Sequence, residues 1–248
     1  MKLILNGCLG RMGRAVSELA PTRDAAVVAG VDVAAGDAAY PVCADWSNLP
    51  SADAVIDFSN PDALAAELDY VTAHGLPLVL CTTGLSEEQL AAVKDAARQV
   101  PIFFSGNMSL GVAVLSALTK KAAAVLGDTF DIEIVEMHHN QKLDAPSGTA
   151  LMLADAAKSG LSYEPEYTID RHTRRQKRDK KEIGIASLRG GTVVGDHSVY
   201  FAGEQEVITL SHSAGSRSVF AAGALTAAAF LQGKEAGLYT MADIVDNI

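Results

Sequence analysis

The sequence predicts an α/β chain in two parts: a doubly wound parallel sheet first, then an α+β domain built on a mixed or antiparallel sheet. Three observations carry this. Short, continuously apolar runs alternate with helix-length stretches through the first hundred residues, the pattern of parallel strands covered on both faces. Beyond Ser109 that rhythm gives way to consecutive β-rich runs with Gly-rich turns at Gly190-Gly191 and Gly203. An Ala-rich helical stretch, Ser218–Leu231, then has the composition of the earlier helices and is expected to return to them.

Element by element, Lys2–Asn6 reads as a buried strand, Arg11–Ala20 as a helix and Ala26–Val31 as a second strand. Ala54–Phe58, Pro77–Cys81 and Pro101–Phe104 are further apolar strands, separated by helices from about Asp62 to His74 and from near Ser86. In the second part, Leu110–Leu126 is a helix, and Asp131–Met137 alternates as a half-buried strand. A helix from Gly148 to about Lys158 precedes three strands, Ile183–Leu188, Thr192–Phe201 and Glu206–His212. These boundaries place a dinucleotide-binding domain at 1–108 plus 218–248, and a substrate-binding and oligomerisation domain at 109–217.

The bulk properties exclude several classes of function. A chain of 248 residues, 49% hydrophobic and only 6% aromatic, suits an Ala/Val/Leu-rich enzyme with ample core. A formal charge of −10 argues against nucleic acid or an anionic membrane surface as the main partner. Cys8, Cys43 and Cys81 form no CxxC pair, which argues against a disulfide framework or zinc site and fits a reducing compartment. The apolar run at the N-terminus is too short for a signal peptide, and no stretch approaches a membrane span, so a cytoplasmic protein is expected. The segment 171–181 concentrates Arg171, Arg174, Arg175, Lys177, Arg178, Lys180 and Lys181, with His172 added when protonated. It reads first as a solvated, mobile loop and second as a lid or subunit contact.

Gly7-Cys8-Leu9-Gly10-Arg11-Met12-Gly13 follows a predicted strand and opens a predicted helix. The spacing is GxxGxxG, yet the physics of the familiar GxGxxG applies: small residues let the backbone approach a pyrophosphate at the positive end of a helix. The second strand ends in Asp32, nineteen residues after Gly13, where a carboxylate can accept from adenosine ribose hydroxyls. This context makes the first domain Rossmann-like. Asp32 repels a 2′-phosphate and Val33 offers no cation, so NADH is favoured; Arg11 or Arg14 leaves NADPH as a second option. Two further strand-end loops, Cys81-Thr82-Thr83-Gly84 and Ser105-Gly106-Asn107-Met108, carry groups suited to a nicotinamide amide and ribose.

The densest chemistry lies in Glu136–Ala150. His138 and His139 bring imidazoles that exchange protons near neutral pH, and Lys142 adds an ammonium four residues after His138. Ser147-Gly148-Thr149 reads as an N-cap followed by free N–H groups, a cradle for a carboxylate. An acid beside an anion cradle is what a reductase of a small carboxylated substrate needs. Glu136 is a candidate partner for a histidine or a solvated residue, Asp144 either orients Lys142 or makes a turn, and His197 reads as structural. No metal-ligand spacing is present, and none of this chemistry needs a metal.

These segments together resemble the 4-hydroxy-tetrahydrodipicolinate (dihydrodipicolinate) reductase family. The likeness spans almost the whole chain. It rests on Gly7–Gly13, Thr82-Thr83-Gly84, the specific E-x-H-H-x-x-K-x-D-A-P-S-G-T-A pattern of Glu136–Ala150, Ile183–Gly191, Gly195-Asp196-His197 and Gly237-Leu238-Tyr239. The resemblance implies an NAD(P)H-dependent reductase of lysine and diaminopimelate biosynthesis, acting as a homotetramer on a cyclic dicarboxylate. It implies His138 as proton donor, Lys142 as second catalytic donor, His139 as a substrate contact, and Gly148 and Thr149 as a backbone grip on a substrate carboxylate. It also implies cofactor contacts from Gly7, Cys8, Leu9, Gly10, Arg11, Met12, Asp32, Cys81, Thr82, Thr83, Ser105, Gly106, Asn107 and Met108. The chain departs from many relatives at Cys81, where they have glycine, and at Met108, where they have phenylalanine and where a change in packing near the nicotinamide is expected. Val33 replaces an arginine found in some. Rival readings are a semialdehyde or homoserine dehydrogenase type, disfavoured by the lack of a placed cysteine nucleophile, and a nucleotide sensor, which has no use for His138 and Lys142.

Overall fold

The computed structural model describes residues 1–172 and 174–246. The chain divides into two compact units, Met1–Ser109 with Arg217–Ile248, and Leu110–Ser216. The first contains β1 (Lys2–Asn6), α1 (Arg11–Leu19), β2 (Ala26–Val31), β3 (Val42–Cys43), β4 (Ala54–Asp57), α2 (Leu64–His74), β5 (Leu78–Leu80), α3 (Glu87–Ala96) and β6 (Pro101–Phe104). The second runs through α4 (Leu110–Leu126), β7 (Asp131–His138), α5 (Gly148–Gly160), β8 (Glu166–Ile169), β9 (Glu182–Arg189), β10 (Gly195–Ala202) and β11 (Val207–Ala214). The chain then returns to the first unit with α6 (Ser218–Phe230), β12 (Gly237–Tyr239) and α7 (Met241–Val245).

The first unit is a seven-stranded, wholly parallel sheet in the order β12-β6-β5-β4-β1-β2-β3. Its central strands are apolar at successive positions because both faces are covered: Leu3, Ile4, Leu5, Val55, Ile56, Leu78 and Leu80 are all fully buried. Each such side chain contributes roughly 1.5–3 kcal/mol of transfer free energy. Helix α3 starts at a capping box in which Ser86 Oγ accepts from the Gln89 N–H and Gln89 Oε1 from the Ser86 N–H. Helix α6 is apolar on every side and is correspondingly buried, packing beside α1. Strand order reverses between β1 and β4, so the loops after these two strands diverge and leave a crevice at the carboxyl edge of the sheet.

The second unit is a five-stranded mixed sheet, β11-β10-β7-β9-β8, antiparallel on one side of β7 and parallel on the other. Alternation along β7 puts Ile132, Ile134, Glu136 and His138 on the buried face, with the apolar members packed against residues of α4 and α5 such as Leu115 and Leu153.

The strands and helices expected in the first unit are present, most with ends within a residue or two, as are the principal elements of the second. Strands β3, β8 and β12 were not expected; each has two to four residues, too few to show a period. In the basic segment 171–181, Arg175, Lys177, Lys180 and Lys181 are exposed, as a solvated loop implies, whereas Arg171, Arg174 and Arg178 are partly buried. Parallel β8 and β9 require the chain to return to the same end of the sheet, and this segment is that crossover. Arg171 and Arg174 pair with buried Glu182, Arg174 also with Glu166, and Arg178 bonds Glu133 at 2.9 Å and Asp131 at 3.1 Å. Arg171, Arg174 and Arg178 therefore pin it across carboxylates on the sheet face opposite α4 and α5.

Candidate active site

In the first unit a cleft of about 490 Å³ opens where strand order reverses. The turn after β1 (Gly7, Leu9, Gly10) and the loop after β4 (Phe58, Ser59, Asn60) line it, with Asp32, Val33, Asp45 and Trp46. Gly7 has φ +72, and a Cβ there would stand 2.5 Å from the Phe58 carbonyl oxygen; a Cβ on Gly13 would stand 2.3 Å from the Gly7 carbonyl. Both glycines are thus required by the turn. Helix α1 begins after Gly10 without a side-chain cap, so its first N–H groups are left for an anion. This fits a dinucleotide pyrophosphate. Asp32 Oδ2 accepts from the Leu9 N–H at 2.9 Å and Oδ1 from the Ala34 N–H at 3.0 Å, so this carboxylate also fixes the glycine turn.

Of the cofactor residues read from the sequence, Gly7, Leu9, Gly10 and Asp32 line this cleft, and the others do not. Cys8 turns its sulfur into the core beside Gly30. Arg11 is exposed and Met12 half-buried at the start of α1. Cys81 and Thr82 are buried after β5, while Thr83 is exposed. Burial first, then the charges of Asp57 and Glu67, push the Cys81 thiol well up, which leaves it unsuited to act as a nucleophile. Ser105 Oγ accepts from the Asn107 N–H at 3.2 Å and Asn107 Oδ1 from the Ser109 N–H at 2.9 Å; Gly106 lies between them. Met108 is buried, its carbonyl close against Gly223 of α6. Its side chain packs in the core of this unit.

Sequence reasoning missed the loop after β4, and Trp46, which stacks at a tilt on Tyr70 with ring centroids 5.1 Å apart. It also missed the polar floor. Asn6 donates to Ser59 Oγ at 3.2 Å and to Glu67 Oε1 at 3.3 Å, and burial pushes the carboxyls of Asp57 and Glu67 up.

The second unit gathers its titratable groups at the end of β7. Its register sets His212, His197, Glu136 and Ser187 in one row across four strands, with Arg189 opposite His138 in the next. Glu136 is fully buried. Its Oε2 accepts from His138 Nδ1 at 2.6 Å and from Arg189 Nη1 at 2.8 Å; its Oε1 accepts from Arg189 Nη2 at 2.9 Å and from the Ser147 N–H at 3.2 Å. Burial pushes its pKa up, but hydrogen bonds from Arg189, Ser187 and His138 and the Arg189 charge outweigh it and hold the carboxyl at about 2. The His138 ring meets His197 edge to face, with centroids 5.1 Å apart. Burial first, then the neighbouring His138, lowers His197 to about 4, so at neutral pH it is uncharged.

Strand β7 ends at His138, and His139 begins the turn that leads to Lys142, whose N–H donates to the His139 carbonyl at 3.2 Å. This break frees the two histidines from strict strand alternation. Lys142 Nζ sits 2.8 Å from Asp144 Oδ1, which settles the role of Asp144. Ser147 caps α5: its Oγ accepts from the Ala150 N–H at 3.1 Å and shares a hydrogen bond of 3.1 Å with His197 Nε2. No atom lies within 4 Å of where a Cβ of Gly148 would stand, so that glycine keeps the helix start uncovered. Thr149 follows it in the first turn. Among the described residues no group of three His, Cys, Asp or Glu is placed to hold a metal, and no helix is long and apolar enough to cross a membrane.

Comparison with known proteins places these features in one family. Residues 1–108 match the model of the dihydrodipicolinate reductase N-terminus and residues 111–245 that of its C-terminus. The 4-hydroxy-tetrahydrodipicolinate reductase of Caldanaerobacter subterraneus subsp. tengcongensis is 51% identical over 247 residues, covering 99% of this chain and 98% of its own. That of Clostridium tetani is 46% identical over 244 residues, 97% of this chain and 95% of its own. Among solved structures, the dipicolinate-bound dihydrodipicolinate reductase from Paenisporosarcina sp. TG-14 shares the fold with a TM-score of 0.83 at 22% identity, covering 98% of this chain and 99% of that one. The chain belongs to the dihydrodipicolinate reductase family.

Proposed function

We propose that this protein is an NAD(P)H-dependent reductase that converts 4-hydroxy-tetrahydrodipicolinate, by way of dihydrodipicolinate, to tetrahydrodipicolinate in lysine and diaminopimelate biosynthesis, with His138 as proton donor. The observation that carries the site assignment is the pairing of His138 with an ionised, buried Glu136 beside the Ser147-capped start of α5. A nicotinamide bound through Gly7, Leu9, Gly10 and Asp32 supplies the hydride. Hydride addition conjugate to the ring C=N leaves an electron-rich enamine in the substrate, and His138 delivers the proton that completes the reduction. Lys142 stabilises negative charge that develops on the substrate. The N–H groups of Gly148 and Thr149 grip a substrate carboxylate and His139 contacts it. The remaining cofactor contacts fall to Cys8, Arg11, Met12, Cys81, Thr82, Thr83, Ser105, Gly106, Asn107 and Met108, through backbone groups where the side chain is buried.

NADH is the favoured cofactor. Asp32 and Asp45 line the cleft, and among the described residues no Lys or Arg does, so a 2′-phosphate meets carboxylates there. The protein works as a cytoplasmic homotetramer: the face of the second sheet opposite α4 and α5 carries half-buried Val135, Met137 and Tyr200 and exposed Leu188 and Val207, an apolar surface suited to a second copy. Oxidation of NADH and NADPH, with substrate generated in situ from pyruvate and aspartate semialdehyde, tests the function. Turnover with a preference for NADH supports it, and a folded, NADH-binding protein without turnover refutes it.

A further inference from the structure

We infer that Glu136 and Arg189 are positioning residues that fix the tautomer of His138 and tie it to Lys142, an inference that rests on the reading of His138 as proton donor. A carboxylate offers about four lone-pair positions. Glu136 meets His138 Nδ1, both terminal nitrogens of Arg189 and the Ser147 N–H, with Ser187 a further donor, so it cannot rotate without losing a bond to a charged or buried donor. An ionised carboxylate accepts only, so the proton shared with His138 resides on Nδ1. Nε2 is thereby the nitrogen that exchanges a proton with substrate. It faces Gly195, where a Cβ would stand 3.0 Å away.

Arg189 extends the arrangement to the other proposed donor. Its Nη2 also donates to the Asp144 carbonyl at 2.6 Å, and the Asp144 carboxylate holds Lys142 Nζ at 2.8 Å. One guanidinium thus spans the carboxylate behind His138 and the turn that presents Lys142. A flexible ammonium cannot, because it lacks the planar fork that meets both carboxylate oxygens at once. Ser147 closes the circuit on the other side, since the same residue that donates to Glu136 caps α5.

The test combines ring-nitrogen NMR shifts of His138 with kinetics. In Glu136→Gln the amide NH₂ must face either Arg189 Nη2 and the Ser147 N–H or Arg189 Nη1 and His138 Nδ1. The second choice makes Nδ1 an acceptor and moves the ring proton to Nε2. The expected result is a folded variant with unchanged NADH binding, an Nε2–H His138, a displaced acid limb in the kcat–pH profile, and kcat lower by about 10²-fold. Arg189→Lys is expected to keep Nδ1–H but to lower kcat and raise KM together by roughly tenfold each, as Lys142 loses its anchor. A Glu136→Gln enzyme within about threefold of wild-type kcat, with unmoved ring-nitrogen shifts, overturns the inference. So does a wild-type neutral His138 protonated at Nε2, a measurement that needs no variant to fold. The shifts are read without substrate, so an inactive wild type refutes the reductase function while the tautomer still decides the role of Glu136.

Discussion

Leu9 donates its backbone N–H to Asp32 Oδ2 at 2.9 Å, so the residue that follows β2 holds the shape of the turn that follows β1. On the proposed reading this bond joins pyrophosphate and ribose recognition mechanically, and a single substitution at Asp32 is expected to disturb both. Asp32→Ala should raise the NADH dissociation constant by about tenfold or more, the value of a hydrogen bond to a charged group. NADPH affinity should suffer less, because the carboxylate that opposes its 2′-phosphate is gone. The chain has one tryptophan, Trp46, and it lines this cleft, so its fluorescence titrated with each cofactor gives both constants. Equal losses for the two cofactors would contradict the assignment of Asp32 to the ribose.

Gly195→Ala probes the proton donor from the other side. The position does not have positive φ, so alanine is compatible with the backbone, yet its Cβ would meet His138 Nε2 at 3.0 Å. The ring must tilt out of line. The variant should fold at some cost in stability from the displaced ring, bind NADH normally, and lose roughly tenfold or more in kcat, as misplaced reacting groups do. Steady-state kinetics beside a thermal melt check this. Unchanged kcat would mean that Nε2 is not the working nitrogen.

Acid should destabilise the protein in two stages. His197 is lowered from 6.5 to about 4 in the folded state, so the unfolded chain binds the extra proton between those values; stability is full above pH 6.5 and falls as pH drops toward 4. Glu136 is lowered from 4.5 to about 2, so its contribution is full above pH 4.5 and is lost as pH falls toward 2. Each amounts to about 3 kcal/mol at most. Urea unfolding across pH 3–7 should show the slope between 4 and 6.5 flatten in His197→Asn and that below 4.5 flatten in Glu136→Gln.

How much of this was legible in the sequence follows from the range of each interaction. The alternation of apolar runs and helices is local, and β1, β2, β6, α4 and the Ser147 cap stand where pattern and capping chemistry put them. Gly7–Gly13 was legible because its constraint lies within seven residues. Arg189 was not, because it reaches Glu136 from 53 residues away through a strand register that no local pattern encodes. The same holds for Phe58–Asn60 and Trp46, brought to the cleft by strand order. The ion pairs of the basic segment were not legible because its partners, Asp131, Glu133, Glu166 and Glu182, lie on three different strands. Two-residue β3 and three-residue β12 are set by pairing alone.

The central claim, that His138 is the proton donor of a nicotinamide-dependent reductase, is tested most directly by His138→Gln assayed for NADH oxidation with substrate formed in situ. Glutamine keeps a hydrogen-bonding side chain beside Glu136 but cannot deliver a proton. The account predicts kcat lower by about 10²–10⁴-fold with the NADH dissociation constant, read from Trp46, unchanged. A His138→Gln protein that turns over at the wild-type rate would contradict it.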